Sequence, residues 1–275
     1  MKDSVNKLKV FTLSALGLTL LCTLLFTISM FVSFDADVGY FAKSPITVIQ
    51  KAIAAVSVIF FASIMFFIPK STLPCDGFEG DRSTVFSSLL CGLVFIGGMI
   101  ITFLSTYNSA ANLSSTQRSL FMIITASGII ASIYFISDAL TPYKKNVGIK
   151  VATAILVIVN LLCSVIFEHL DLFVPINAPR KTLLFLSFVS ASVFIIQELR
   201  FKVGIYQPRA YVFAGSATAL LCSVMSIPSL IAHYAGVFKD SSFLVYYLIG
   251  LALAIYTSAR LISYTMYVDK NTSEE

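Results

Sequence analysis

FLVYYLIGLALAIYTSARLISYTMY, residues 243–267, reads as a helix that crosses a lipid bilayer and carries one charged side chain, Arg260. About 20 apolar residues at 1.5 Å rise cover the ~30 Å of hydrocarbon in a bilayer. A charged side chain inside such a run is costly in lipid and marks a candidate functional position.

Seven further runs of this kind occupy 10–34, 46–68, 83–105, 119–141, 149–167, 182–201 and 210–235. The expected fold class is therefore all-α, a polytopic integral membrane helix bundle of about eight transmembrane helices, with 1–275 forming a single membrane domain. The bulk composition points the same way. Of 275 residues, 57% are hydrophobic and only 12% charged, with a mean hydropathy of +0.90, against about 25% charged residues in soluble domains. Nineteen basic and fourteen acidic side chains are too few to clothe a soluble core of this size. The first run exceeds the ~7–15 residues of a signal-peptide core and ends in ISMFVSF, with no small-residue cleavage pattern, so it is expected to be a retained span.

Orientation follows from the bases in the short connecting segments. With the N-terminus inside, the inner segments hold twelve Lys and Arg, among them Lys9, Lys70, Lys144, Lys150, Arg200 and Lys202. The outer ones hold six: Lys43, Lys51, Arg118, Arg180, Lys181 and Lys239. The positive-inside rule then places both termini in the cytoplasm of a cell whose cytoplasmic membrane holds the chain. The net charge of +5 is thereby read as a topology signal, and nucleic acid is not expected as a partner. Cys22, Cys91, Cys163 and Cys222 lie inside apolar runs, where a thiol behaves as a small hydrophobe, and Cys75 lies alone in a loop. Neither a disulfide framework nor a CxxC metal or redox motif results.

Two outer connections look ordered: DADVGYFAKSP at 35–45 and EHLDLFVPINAPRK at 168–181. Pro45 and Pro179 stand where the first turn of the next helix tolerates proline. Each connection carries D-x7-P, from Asp37 to Pro45 and from Asp171 to Pro179. With IYFISDAL in the fourth run set against IYTSARLI in the eighth, this raises a parallel 4+4 repeat with halves 1–142 and 143–275, in which Asp138 corresponds to Arg260. Chance matching among apolar helices is the competing explanation.

The candidate binding or gating residues are Asp138, Arg260, Glu198 and Asn160. Arg260 is about seven residues, or roughly 10 Å, from the inner end of its span, so its side chain can also snorkel to the headgroups. Asp138 can cap its own helix end or pair with Lys144 and Lys145; the sharper reading has it paired with Arg260 across the bundle. Glu198 and Lys202 are spaced i, i+4, which fits a surface pair, or Glu198 turns inward as a second acid for Arg260. Asn160, midway along its run, is expected to hydrogen-bond a neighbouring helix. Gly97, Gly98 and Pro228 are candidate helix breaks at corresponding places in the third and seventh spans. Small residues at 210, 214, 218, 222 and 226 form a stripe that a helix of this bundle or of a partner can approach. Asp35, Asp37, Glu168, His169, Asp171, His233 and Asp240 are read as solvated charges of the outer side, with no metal-ligand spacing among them.

No Walker A, GxSxG, HExxH or CxxC sequence is present, so neither an enzyme mechanism nor a cofactor is expected. A carrier or permease for a small solute or lipid is the leading expectation, with the inner charges as gate or site. A non-transporting subunit that assembles with a membrane-protein partner, or as a homo-oligomer, is the alternative. An intramembrane lipid-modifying enzyme is the third.

Overall fold

The computed structural model describes residues 2–35, 40–67, 78, 81–107, 113–141, 145–170, 178–237 and 243–273. Eight long helices carry almost all of them: α1 Lys2–Val32, α2 Pro45–Phe67, α3 Arg82–Tyr107, α4 Ser115–Leu140, α5 Val147–His169, α6 Pro179–Lys202, α7 Pro208–Tyr234 and α8 Leu244–Ser273. Each is long and apolar enough to cross a membrane. The chain is thus an all-α, multi-pass membrane helix bundle. Several helices outrun their apolar cores by a few residues, because helical hydrogen bonding continues past the hydrocarbon into the interface.

Local sequence sets the helix starts. Pro45, Pro179 and Pro208 each open a helix, where the missing N–H costs nothing. Ser114 and Gln117 cap α4 reciprocally, and Asp81 Oδ1 accepts from the Thr84 N–H at 3.1 Å at the start of α3. Between α1 and α2 a short antiparallel ribbon pairs Phe34 with Phe41 and Asp35 with Tyr40. The connection expected to be ordered thus holds a β-ribbon in its described part, while Asp37 and Asp171 lie outside the described residues.

Helices α3 to α8 pack in sequence order, each against the next, and α8 closes back on α3. α1 lies outside this ring against α7 and α8, and α2 leans on α1 and α7. The halves differ in their neighbours: α1 packs on α7, whereas α5 and α3 are not close neighbours among the described residues. Burial grades accordingly, from 17% of the most apolar stretch of α2 to 67% in α7 and α8. Leu20, Val48, Ile59, Phe66 and Leu93 face outward, as a lipid-facing surface requires. Both termini share one end of the bundle, since Lys9 on α1 pairs with Asp269 on α8 at 2.7 Å; this is called the termini end below.

The expected helix breaks do not occur. α3 runs through Gly97–Gly98 and α7 runs through Pro228 without interruption. Inside a bundle the surrounding helices hold a helix together despite one missing N–H. Gly98 serves packing instead. A Cβ there would come within 2.9 Å of Val245 Cγ1 on α8, while at Gly97 it would meet nothing within 4 Å. The small-residue stripe of α7 is also turned inward: Ala214, Thr218, Cys222 and Ser226 are buried within the chain's own bundle.

Many Ser and Thr hydroxyls in the spans donate back to their own helix, as Thr19 to Ala15 O, Thr125 to Phe121 O and Thr257 to Leu253 O. That is how a polar side chain is tolerated without water. A few buried groups, Asn160 Oδ1, Thr218 Oγ1 and Ser226 Oγ among them, find no such partner among the described residues.

Candidate functional site

Five charged side chains from four helices converge near the termini end. Asp138 ends the buried face of α4, which runs through Ile124, Gly128, Ala131 and Phe135 at spacings of three and four. Lys150 begins the equivalent face of α5. Glu198 and Lys202 continue the buried face of α6 after Leu184, Phe188, Ala191 and Ile195. Arg260 comes from α8. All five are between 0% and 8% exposed.

Asp138 is the hub. Its Oδ1 accepts from Lys202 Nζ at 2.5 Å and lies 3.5 Å from Lys150 Nζ. Its Oδ2 accepts from Arg260 Nη2 and from the Tyr256 hydroxyl at 3.4 Å. Arg260 also reaches Glu198, with Nε 3.4 Å from Oε1, and Glu198 Oε2 accepts from the Tyr211 hydroxyl at 2.9 Å. Lys202 Nζ donates to the Tyr134 hydroxyl at 3.0 Å and lies 4.3 Å from the centre of that ring. Lys150 Nζ donates to the Thr141 carbonyl at 3.5 Å.

An aromatic sleeve surrounds these charges. Phe201 stacks obliquely on Tyr211 with ring centres 4.5 Å apart and meets Tyr264 edge-on at 5.7 Å. Phe78 meets Tyr264 at 5.4 Å, and Phe135 meets Tyr256 at 5.3 Å. Rings exclude water while their hydroxyls turn to the charges, which strengthens every ion pair inside.

Arg260 does not snorkel; its guanidinium lies inside the bundle, held by two carboxylates. Asp138 faces it, but shares its carboxylate with Lys202 and Lys150; Lys144 lies outside the described residues. Glu198 and Lys202 are not a surface pair. Their spacing puts them one turn apart on a buried face, so each finds its partner on another helix. Asn160 stands apart from the cluster, in the middle of α5, where Nδ2 donates to the Ile124 carbonyl at 2.7 Å. Gly128 makes room for that amide, since a Cβ there would lie 2.7 Å from Nδ2.

Glu168 also departs from its expected place. It is 6% exposed rather than solvated, and Lys181 on the first turn of α6 is fully buried. Asp35 is exposed and His169 and His233 are half-buried. Among the described residues no three His, Cys, Asp or Glu side chains come close enough to hold a metal ion.

Fold and site together define a multi-pass membrane protein with a buried charge cluster at one end of its helix bundle. Comparison with family models, with curated proteins and with solved structures finds no match.

Proposed function

We propose that this chain is a carrier or permease for a small solute or lipid, with the Asp138 cluster as gate or binding site near the cytoplasmic face. One observation carries the reading: Asp138, Lys150, Glu198, Lys202 and Arg260 are all withdrawn from solvent inside a membrane bundle. Such groups are expensive in lipid and are characteristic of ion and solute paths. In a purely structural core, apolar residues of similar volume often serve as well or better. The cluster also ties α4, α5, α6 and α8 at one end only, so loss of its ion pairs would free those ends to separate. The inward turn of the α7 stripe removes the feature that favoured a partner interface.

The orientation proposed, with both termini cytoplasmic, is supported by charge. After Lys150, Lys181 and Lys202 are set aside as buried, the connecting segments still divide ten against five in favour of the termini end.

Purified protein in liposomes provides the test, with radiolabelled alanine, glucose and lactate as solutes and a fluorescent phosphatidylcholine as lipid probe. Movement of a probe by the wild type, lost in Asp138→Asn protein that still purifies as a single species, is the expected result. Wild-type protein that moves none of them, yet co-purifies with one stoichiometric membrane partner, would overturn the reading in favour of a subunit.

A further inference from the structure

The buried face of α5 carries polar side chains at both ends and at its middle, interleaved with apolar ones. Lys150, Thr153, Asn160, Ser164 and Glu168 all lie on it, together with Ala154, Val157, Leu161 and Val165. Lys150 and Glu168 are 18 residues apart, about 27 Å at helical rise and close to the thickness of the hydrocarbon. Lys150 belongs to the Asp138 cluster. Glu168 lies at the other end of the bundle, where Lys181 on the first turn of α6 and Tyr246 on the first turn of α8 are also buried. The Tyr246 hydroxyl interacts with Glu168 and with Ser164. The same three helices, α5, α6 and α8, therefore carry buried charged or phenolic groups at both ends.

Asn160 lies midway. Its Nδ2 is used by the Ile124 carbonyl, and its backbone carbonyl accepts from Ser164 Oγ at 2.8 Å. Its Oδ1 is buried and has no hydrogen-bond partner among the described residues. The orientation of the amide is set by the bond to Ile124, because only the NH2 end can donate to a carbonyl. An acceptor without a donor, deep in lipid, is unfavourable unless a donor visits it.

We propose that the α5 face lines a pathway through the bundle for a small polar solute that donates an N–H or O–H to Asn160 Oδ1, with Glu168, Lys181 and Tyr246 as its second mouth. This rests on the carrier reading and narrows it from solute or lipid to a hydrogen-bond-donating solute.

The test uses the full chain with its five native cysteines replaced by alanine and single cysteines introduced one at a time. Thr153, Val157, Asn160 and Ser164 sample the buried face; Ile155, Leu162 and Ile166 are exposed to lipid. Reconstituted vesicles are treated from either side with a membrane-impermeant, anionic methanethiosulfonate. Only a hydrated thiolate reacts, so the four inner positions should label at least about ten-fold faster than the three lipid-facing ones, and Glu168→Gln should speed labelling at position 164. Positions 157 and 160 labelling no faster than 155 and 162 would sink the pathway, because the face would then be dry. Uptake of the radiolabelled solutes is read separately on wild-type protein. Inner labelling without movement of any probe overturns the carrier reading and leaves the hydrated face standing. Lipid movement with unreactive inner positions overturns the pathway and leaves the carrier reading standing.

Discussion

Asp138 on α4 and Arg260 on α8 share a charge-assisted hydrogen bond across 122 residues of sequence, and Asp138 serves two lysines besides. That arrangement decides how the pair responds to mutation. Asp138→Asn leaves three cations without their shared anion and should destabilise detergent-solubilised protein by about 3–5 kcal/mol, the usual cost of breaking a buried pair. A charge exchange, Asp138→Arg with Arg260→Asp, should not rescue it, because the new arginine would sit against Lys150 and Lys202. Lys202→Met in the Asp138→Asn background should recover part of the loss by removing one stranded cation. Thermal unfolding followed by size-exclusion chromatography checks all three; full rescue by the exchange would contradict the hub.

Tyr211 gives Glu198 a hydrogen bond at 2.9 Å from α7. Tyr211→Phe keeps the ring that packs on Phe201 and Phe194 and deletes only the donor. A bond to a charged acceptor is worth about 1.5–3 kcal/mol, so the variant should melt earlier, while Tyr234→Phe at an exposed ring serves as the control.

Neighbouring glycines of α3 should behave differently. Gly97→Ala enters open space and should be neutral or slightly stabilising, since Ala exceeds Gly in helix propensity by up to about 1 kcal/mol. Gly98→Ala drives a methyl to 2.9 Å from the stiff Val245 side chain, and overpacking of this sort costs about 1–3 kcal/mol. Equal melting temperatures for the two variants would mean that α3 and α8 are not in this contact.

Lys9 and Asp269 form an ion pair between α1 and α8, yet their side chains are 39% and 47% exposed. Asp269→Asn should therefore change stability by no more than about 1 kcal/mol, and less at high salt. Set beside the large expected effect of Asp138→Asn, it separates buried from solvated ion pairs within one molecule.

All eight helices were legible in the sequence, because about 20 apolar residues in a row have few other uses. So were Asp138 and Arg260, which stand out as charges in apolar runs. Lys150, Glu168, Lys181 and Lys202 were not. Each lies within a few residues of the end of a span, where a charge ordinarily meets water, and was read as topology or surface. A finer signal was present: the apolar stripe of α6 at 184, 188, 191 and 195 lands on Glu198 and Lys202 when continued by the same steps, and the α5 stripe starts at Lys150 and ends at Glu168. Glycine and proline misled in the opposite direction. Gly98 and Pro228 read as interruptions from residue type alone, whereas the packing around them decides whether a helix continues.

The distribution of the cluster over four helices also sets an order for the birth of the protein. α4 enters the membrane carrying Asp138 before any of its cationic partners on α6 and α8 has been made. Lys202 follows 64 residues later and Arg260 122 residues later. At about 5–20 residues per second, the ribosome needs roughly 6–24 s to deliver that arginine. Lys150 on α5 is the first of the three cations to be made, and the cluster is complete only when α8 arrives.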